Sequence, residues 1–338
     1  MGAAITNPTE LRHTSILGLG VYRPERVVTN EEICQQIDST DEWIQSRSGI
    51  KTRRFAGPHE SVLAMSISAG RKALEAAGLT GEQIGTVIIA TSTYPVQTPA
   101  CSALVAEELG TGGAGAIDVA AGCAGFCYAL GLANDLVRSG SEEYVLVVGV
   151  ERMSDSTEPT DRSVRFIFGD GAGAVVVGRG EEAGIGPVVW GSDGAQGRAI
   201  RQEPDWVDFA TNPTQKRPWI IMEGTSVFRW AAFEMGKVAQ RILDKTGMTV
   251  NDIDAFVPHQ ANARITEVIA RSMHLPETVA VSNDIAETGN TSAASIPLAM
   301  EEMLRTGKAK PGDTALLLAF GAGLAYAGQV VTMPVLAG

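Results

Sequence analysis

Only four cysteines stand in the 338 residues, at 34, 101, 123 and 127, and they form no C-x2-C pair. That excludes a disulfide framework, and a metal held by Cys123 and Cys127 would need further ligands, of which none is evident. Positive charge is also scarce: 27 Lys and Arg stand against 39 Asp and Glu, for a net charge of −12. Nucleic acid and anionic membrane both require a basic face, so an anionic partner would have to meet a local exception. No cationic-then-apolar leader opens the chain, and a reducing cytoplasm is the expected setting. Long apolar runs are missing too. The C-terminal stretch 314–338 is broken by Gly321, Gly323, Gly328, Gln329 and Pro334, and reads as two buried strands joined by a glycine turn. There is no G-x-x-x-x-G-K-[ST] loop, and Gly169-Asp-Gly-Ala-Gly173 departs from the dinucleotide fingerprint, which argues against nicotinamide chemistry.

What is present is a chain long enough for one large or two ordinary domains, with 44% hydrophobic residues. Ser15–Tyr22, Gly85–Thr91, Ala116–Ala120, Tyr144–Gly149 and Val175–Gly178 read as strands. Ser61–Ala77 and Ala124–Val137 read as amphipathic helices. Asn30 is the expected cap of a helix opening near Val28, and 38–54, polar with one Trp, reads as a surface arm.

The chain also resembles itself. Gly78-Leu-Thr-Gly-Glu-Gln-Ile84 is echoed by Gly247-Met-Thr-Val-Asn-Asp-Ile253, 169 residues on (247 − 78). Leu136-Val-Arg-Ser-Gly140 matches Met303-Leu-Arg-Thr-Gly307 at 167 (303 − 136), and Phe168-Gly-Asp-Gly-Ala-Gly173 pairs with Phe320-Gly-Ala-Gly323. Three matches in one order imply two similar α/β halves, 1–182 and 183–338.

Cys123 sits between glycines where a strand turns into a helix. Backbone N–H groups and the helix dipole there favour thiolate over thiol, so Cys123 is the candidate nucleophile, while Cys34, Cys101 and Cys127 read as small buried residues. Carrying the 167-residue offset back along the helix sets Asn290 opposite Cys123. Of four histidines, His13 and His59 lie in polar loops and His274 in a surface-like segment. His259 follows the strand Ala255–Pro258, at a carboxyl end where α/β sheets place ligands. Cys, His and Asn together suggest covalent thioester or peptide chemistry, with amide and imidazole both able to donate to one oxyanion. The turn Gly321-Ala-Gly323 offers a backbone N–H for a second.

At these residues the sequence resembles the β-ketoacyl-acyl-carrier-protein synthase III enzymes of the thiolase superfamily. The marks are Gly122-Cys-Ala-Gly125, Val257-Pro-His-Gln-Ala-Asn262, Gly289-Asn-Thr-Ser-Ala-Ala-Ser-Ile-Pro297, Asp41-Glu-Trp-Ile44 with Arg47-Ser-Gly-Ile50, and Phe168-Gly-Asp-Gly-Ala-Gly173. The resemblance implies a thiolase-like fold of five layers, αβαβα, a homodimer, and a decarboxylative condensation that starts type II fatty-acid synthesis. It implies acyl-CoA and malonyl-acyl-carrier protein as substrates and no tightly bound cofactor or metal. Cys123 would carry the acyl group, His259 and Asn290 would hold the malonyl enolate, and the N–H groups of Cys123 and Ala322 the other oxyanion. Family members commonly have glycine where Ala322 stands.

The resemblance further assigns CoA binding to Trp43, Arg47, Ser39, Arg162, Gly224, Phe228, Ala261 and Asn262. Phe320 would lie behind the active site, and Gln97 and Thr98 would reach the acyl pocket from the dimer partner. Arg229, Lys237, Arg241 and Arg264 form either a docking patch for the acidic carrier protein or a solvated helix face. An acyltransferase or starter-unit ketosynthase of polyketide or secondary metabolism is the alternative within the same scaffold.

Overall fold

In the stretch Thr86–Ala90, Val87 and Ile89 point to one face and Ile88 and Ala90 to the other, and all are buried. Such two-sided burial demands a sheet covered on both faces. In the computed structural model, which describes residues 10–212 and 216–336, two sheets are built this way. The first holds β1 (Thr14–Tyr22), β2 (Thr86–Ala90), β3 (Gly115–Val119), β4 (Tyr144–Arg152) and β5 (Asp170–Arg179). The second holds β6 (Val189–Ser192), β7 (Ala255–Pro258), β8 (Ala280–Val281), β9 (Thr314–Gly321) and β10 (Ala325–Thr332). Their strand orders are β1-β5-β4-β2-β3 and β6-β10-β9-β7-β8. Adding five to each label of the first gives the second. In both, the pairs β2–β3 and β7–β8, and β2–β4 and β7–β9, are parallel, while the remaining pairs are antiparallel.

Helices supply the other three layers. Between the sheets lie α2 (Gly125–Arg138) and α5 (Ser295–Thr306). Phe126, Leu130 and Val137 of α2 pack with Ile296, Met300 and Met303 of α5 against Ile88, Val147 and Val175 on one side and Val257, Leu317 and Val331 on the other. Outside the first sheet, α1 (Val62–Ala77) lays Met65, Ala69 and Ala73 on Val87, Ile89 and Val148. Outside the second, α3 (Gly224–Thr246) and α4 (Ala263–Ser272) bring Met235, Ile242, Ile265 and Ile269 onto Phe256, Leu316 and Leu318. Each of these large side chains contributes roughly 1.5–3 kcal/mol by leaving water. The expected five-layered α/β fold is therefore present.

Three local expectations change. The first short helix, Asn30–Cys34, is capped by Thr29, whose hydroxyl accepts from Glu32 N–H; Asn30 is buried and bonds Asp41 and the Ile50 carbonyl instead. The arm 38–54 is anchored as well as exposed, through buried Ile44, Ile50 and the fully buried Arg53, whose guanidinium donates to the Val28 and Phe166 carbonyls and to Asn30.

The repeat also has a different register at its centre. Gly122–Ala124 and Ser292–Ala294 are matching single turns, entered at φ 51° by Gly122 and φ 50° by Ser292, and helices follow at Gly125 and Ser295. The offset there is 170 (292 − 122). α2 has 14 residues and α5 has 12, and one more residue separates Arg138 from Gly140 than Thr306 from Gly307, so the offset of 167 at those glycines becomes 170 at the helix starts. Ala293 thus occupies the position equivalent to Cys123, and Asn290 lies three residues ahead of it.

Candidate active site

Two of the three groups proposed from the sequence follow a strand's carboxyl end, while Asn290 follows the short helix Ile285–Thr288 and bridges to Phe168. Cys123 follows β3, His259 follows β7, and Gly321-Ala322 ends β9. A cavity of about 520 Å³ is lined by Cys123, His259 and Asn290 together with Ser292, Phe320 and Ala322.

The turns bearing Cys123 and Ala322 press against each other. A Cβ on Gly321 would stand 2.6 Å from the Cys123 nitrogen, and one on Gly122 would stand 3.1 Å from the Ala322 nitrogen. At Gly321 only hydrogen fits and at Gly122 a side chain would be tight, and the two N–H donors assigned to one oxyanion come from these abutting turns. Ala322 needs no glycine: among the described residues only His274 and Ser292 are non-glycines with positive φ.

Cys123 is partly exposed and opens onto the cavity. Burial pushes its thiol up to about 12; the Ser292 hydroxyl, hydrogen-bonded to the sulfur, lowers it, and the charge of Glu151 raises it. The expectation of a resting thiolate is overturned, because desolvation outweighs a helix-start effect worth about 1 kcal/mol.

His259 is 2% exposed, and burial pushes its imidazole down to about 3, so it is neutral. Its Nδ1 lies 2.6 Å from Ser295 Oγ, which also accepts from Gln260 N–H at 3.4 Å. When the Ser295 hydroxyl donates to Nδ1, Nε2 carries the ring proton and is the nitrogen able to donate. Phe320 packs edge-on to the imidazole, with centroids 5.5 Å apart.

Asn290 is held just as firmly. Its N–H donates to the Ile167 carbonyl and its own carbonyl accepts from Gly169 N–H. Its side-chain Oδ1 accepts from Ser292 N–H at 2.8 Å. With the oxygen engaged, the NH2 end is the free one, so amide and imidazole both present donors.

Along the cavity away from Cys123, Arg162 lies over the Trp43 ring at 4.5 Å and Arg47 at 6.0 Å, with Phe166 edge-on at 5.3 Å. Gly224, Phe228, Ala261 and Asn262 line the same cavity, and so do Ile200, Arg201 and Gln202 from a hairpin, Ile200–Glu203 with Trp219–Met222, that the sequence does not announce. Asn262 caps α4 and donates to the Arg47 carbonyl, tying the arm to the second half. Ser39 is not among the residues lining the cavity, and its buried hydroxyl has no partner. Gln97 and Thr98 are exposed and also outside this protomer's lining. Of the four basic residues, Arg229 is exposed on α3 beside Phe228, Arg264 lies over the Phe228 ring at 5.8 Å, and Lys237 over Phe233 at 3.6 Å. Arg241 is engaged elsewhere, bonding Tyr326 in a groove with Val188 and Trp190.

Ser292, Ser295 and Glu151 were not singled out by the sequence. The only signal is the i, i+3 serine pair in Thr291-Ser-Ala-Ala-Ser295, and nothing in the sequence links it to Glu151.

The geometry has counterparts among known proteins. Residues 117–194 match the model of 3-oxoacyl-[acyl-carrier-protein (ACP)] synthase III and residues 243–333 that of its C-terminal part. A β-ketoacyl-[acyl-carrier-protein] synthase III from Mycobacteroides abscessus is 58% identical over 98% of both chains. Among solved structures, the priming β-ketosynthase of the R1128 polyketide pathway superposes with a TM-score of 0.96 at 46% identity, covering 98% of this chain and 99% of that one. The 3-oxoacyl-[acyl-carrier-protein] synthase III of Aquifex aeolicus gives 0.88 at 36%, covering 94% and 99%.

Proposed function

The chain belongs to the β-ketoacyl-[acyl-carrier-protein] synthase III family, and from that premise we propose how its residues perform the condensation of an acyl-CoA primer with malonyl-acyl-carrier protein. Cys123 Sγ attacks the primer's thioester carbonyl. The N–H groups of Cys123 and Ala322 hold the resulting oxyanion, and it collapses to an acyl-cysteine as CoA leaves. Malonyl-acyl-carrier protein then enters the same cavity. As its carboxylate departs as carbon dioxide, the electron pair becomes an enolate whose oxygen accepts from His259 Nε2–H and the Asn290 amide. The enolate carbon attacks the acyl carbonyl, and Cys123 leaves and regains its proton.

One observation carries this reading: thiol, imidazole and amide line a single cavity, with the last two fixed as donors by Ser295 Oγ and Ser292 N–H. Trp43 between Arg162 and Phe166 is suited to clasp an adenine ring by cation–π and edge contact. Arg229 and Arg264, near the Phe228 rim, are the proposed landing site of the acidic carrier protein; Lys237, paired with Glu234 further along α3, and Arg241, bound to Tyr326, contribute less. A homodimer is supported by β3, an outer strand with Ile117 44% exposed, and by Gln97 and Thr98, which are free to reach a partner's cavity. All four cysteines are free, in keeping with the cytoplasm.

Intact-mass detection of Cys123 acylation across acyl-CoAs of increasing length, followed by malonyl carrier protein, tests the reading. No label with any acyl-CoA, or label persisting in Cys123→Ala, would sink it. The higher TM-score to the polyketide priming enzyme favours a second reading, a starter-unit ketosynthase. Preference for that pathway's carrier protein over the fatty-acid one would establish it.

A further inference from the structure

Glu151 ends β4 with no exposed surface, directly behind Ser292. Its Oε2 accepts from Thr93 Oγ1 at 2.7 Å, Ser92 N–H at 3.0 Å and Thr91 Oγ1 at 3.4 Å. The acceptor sides of both threonine hydroxyls are occupied, Thr93 by Arg152 N–H and Thr91 by Thr93 N–H, so their protons are committed to Glu151. Oε1 takes a different partner, Ser292 Oγ at 3.0 Å. That hydroxyl also meets the Cys123 sulfur. It has one proton and two places to send it.

The backbone at Ser292 is made for this contact. Its φ of 50° lies where non-glycine residues rarely go, and it turns the N–H to Asn290 Oδ1 while leaving Oγ between sulfur and carboxylate. Other charged groups nearby are occupied: Arg152 pairs with Asp155, and Asp170, opposite Arg152 in the ladder, accepts from Ser154 and Ala56. His259 is neutral and bonded to Ser295. Glu151 forms no ion pair among the described residues. Its burial pushes it up to about 7, against the pull of its hydrogen bonds.

We infer that Ser292 and Glu151 are the proton route of Cys123. As the S–C bond forms at the primer carbonyl, the thiol proton passes to Ser292 Oγ while the serine proton passes to Glu151 Oε1. When the tetrahedral adduct collapses and the C–S bond to CoA breaks, Glu151 returns its proton to Ser292 Oγ while the serine proton passes to the departing CoA sulfur, which leaves as a thiol. The carboxylate is regenerated, and no other acid or base is consumed. Ser292 touches the reacting sulfur, whereas Glu151 acts through it and is a positioning residue that holds the proton meanwhile. This rests on the condensing-enzyme reading only for the identity of the electrophile.

The test is the rate of Cys123 acylation by acyl-CoA between pH 6 and 9 in the full-length enzyme, wild type against Glu151→Gln. The amide keeps the shape and accepts no proton. Acylation at neutral pH should fall roughly hundredfold, in the range of a lost general base, and the rise through neutral pH should give way to a rate that climbs only with hydroxide. Decarboxylation of malonyl carrier protein should drop no more than about threefold. Equal rates and profiles in the two proteins, or equal losses in both half-reactions, overturn the inference. Should Glu151→Gln fail to fold, Ser292→Ala must give the same altered profile. If no acyl-CoA labels the wild type, the condensing-enzyme reading fails separately, and alkylation of Cys123 by iodoacetamide over the same pH range still reads the route.

Discussion

His259 Nδ1 and Ser295 Oγ lie 2.6 Å apart, joining the end of β7 to the start of α5. Ser295→Ala removes the donor that fixes the ring proton on Nε2. Decarboxylation of malonyl carrier protein is expected to fall about tenfold, the equivalent of one lost hydrogen bond, while acylation of Cys123 persists. Equal loss of both half-reactions would make the serine merely structural.

Asn290→Asp exchanges a donor for an acceptor at a point where negative charge develops. The side chain would face Ser292 N–H as before, so the fold is kept. Condensation should drop about 10²–10³-fold, the effect of losing an oxyanion donor. Steady-state product formation measures it, with intact mass confirming that the primer still loads.

The buried imidazole ties stability to acidity. An unfolded histidine titrates near 6.5 and His259 near 3, so between these values the unfolded chain binds the extra proton and stability falls as pH drops. At pH 7 both states are neutral. By pH 5 the difference reaches about 2 kcal/mol. Denaturant midpoints at pH 7 and pH 5 should show His259→Asn losing less stability than the wild type by about that amount.

Gly321→Ala would place a methyl group 2.6 Å from the Cys123 nitrogen and 2.9 Å from its Cβ. Both neighbours belong to the Cys123 turn. A stability loss of about 1–3 kcal/mol is expected by thermal melting, with acylation impaired more than the melting temperature alone implies.

Charge reversal of Arg229 and Arg264 should raise the apparent KM for malonyl carrier protein about tenfold, with a strong dependence on salt, and leave the acylation rate by acyl-CoA as it was. The same reversal at Arg241 should do far less, since its guanidinium is held by Tyr326.

The repeated sheet plan and the meeting of Cys123, His259 and Asn290 around one cavity were legible because glycine turns and strand ends mark them in one dimension. The register of Asn290 was not, since two residues of difference in helix length and one in the turn that follows are invisible without a helix start. Thiolate character was misjudged for a similar reason: a helix terminus shows in sequence, whereas the burial that opposes it depends on the Glu151 strand and the Gly321 turn. Ser292, Ser295 and Glu151 act across elements far apart in the chain, and only folding brings them together. Arg241 was read from the charge on its helix face, and only the fold shows its guanidinium bonded to Tyr326.

Gly122 and Ser292 make the same backward bend, at φ 51° and 50°, one in each half. Glycine holds it freely, while serine is strained there by about 1 kcal/mol or more. Selection for robustness alone would therefore drift Ser292 to glycine, giving a hardier protein that has lost its hydroxyl. A thermostability screen that ignores turnover is expected to enrich that substitution, and the proposed proton route is expected to be lost with it.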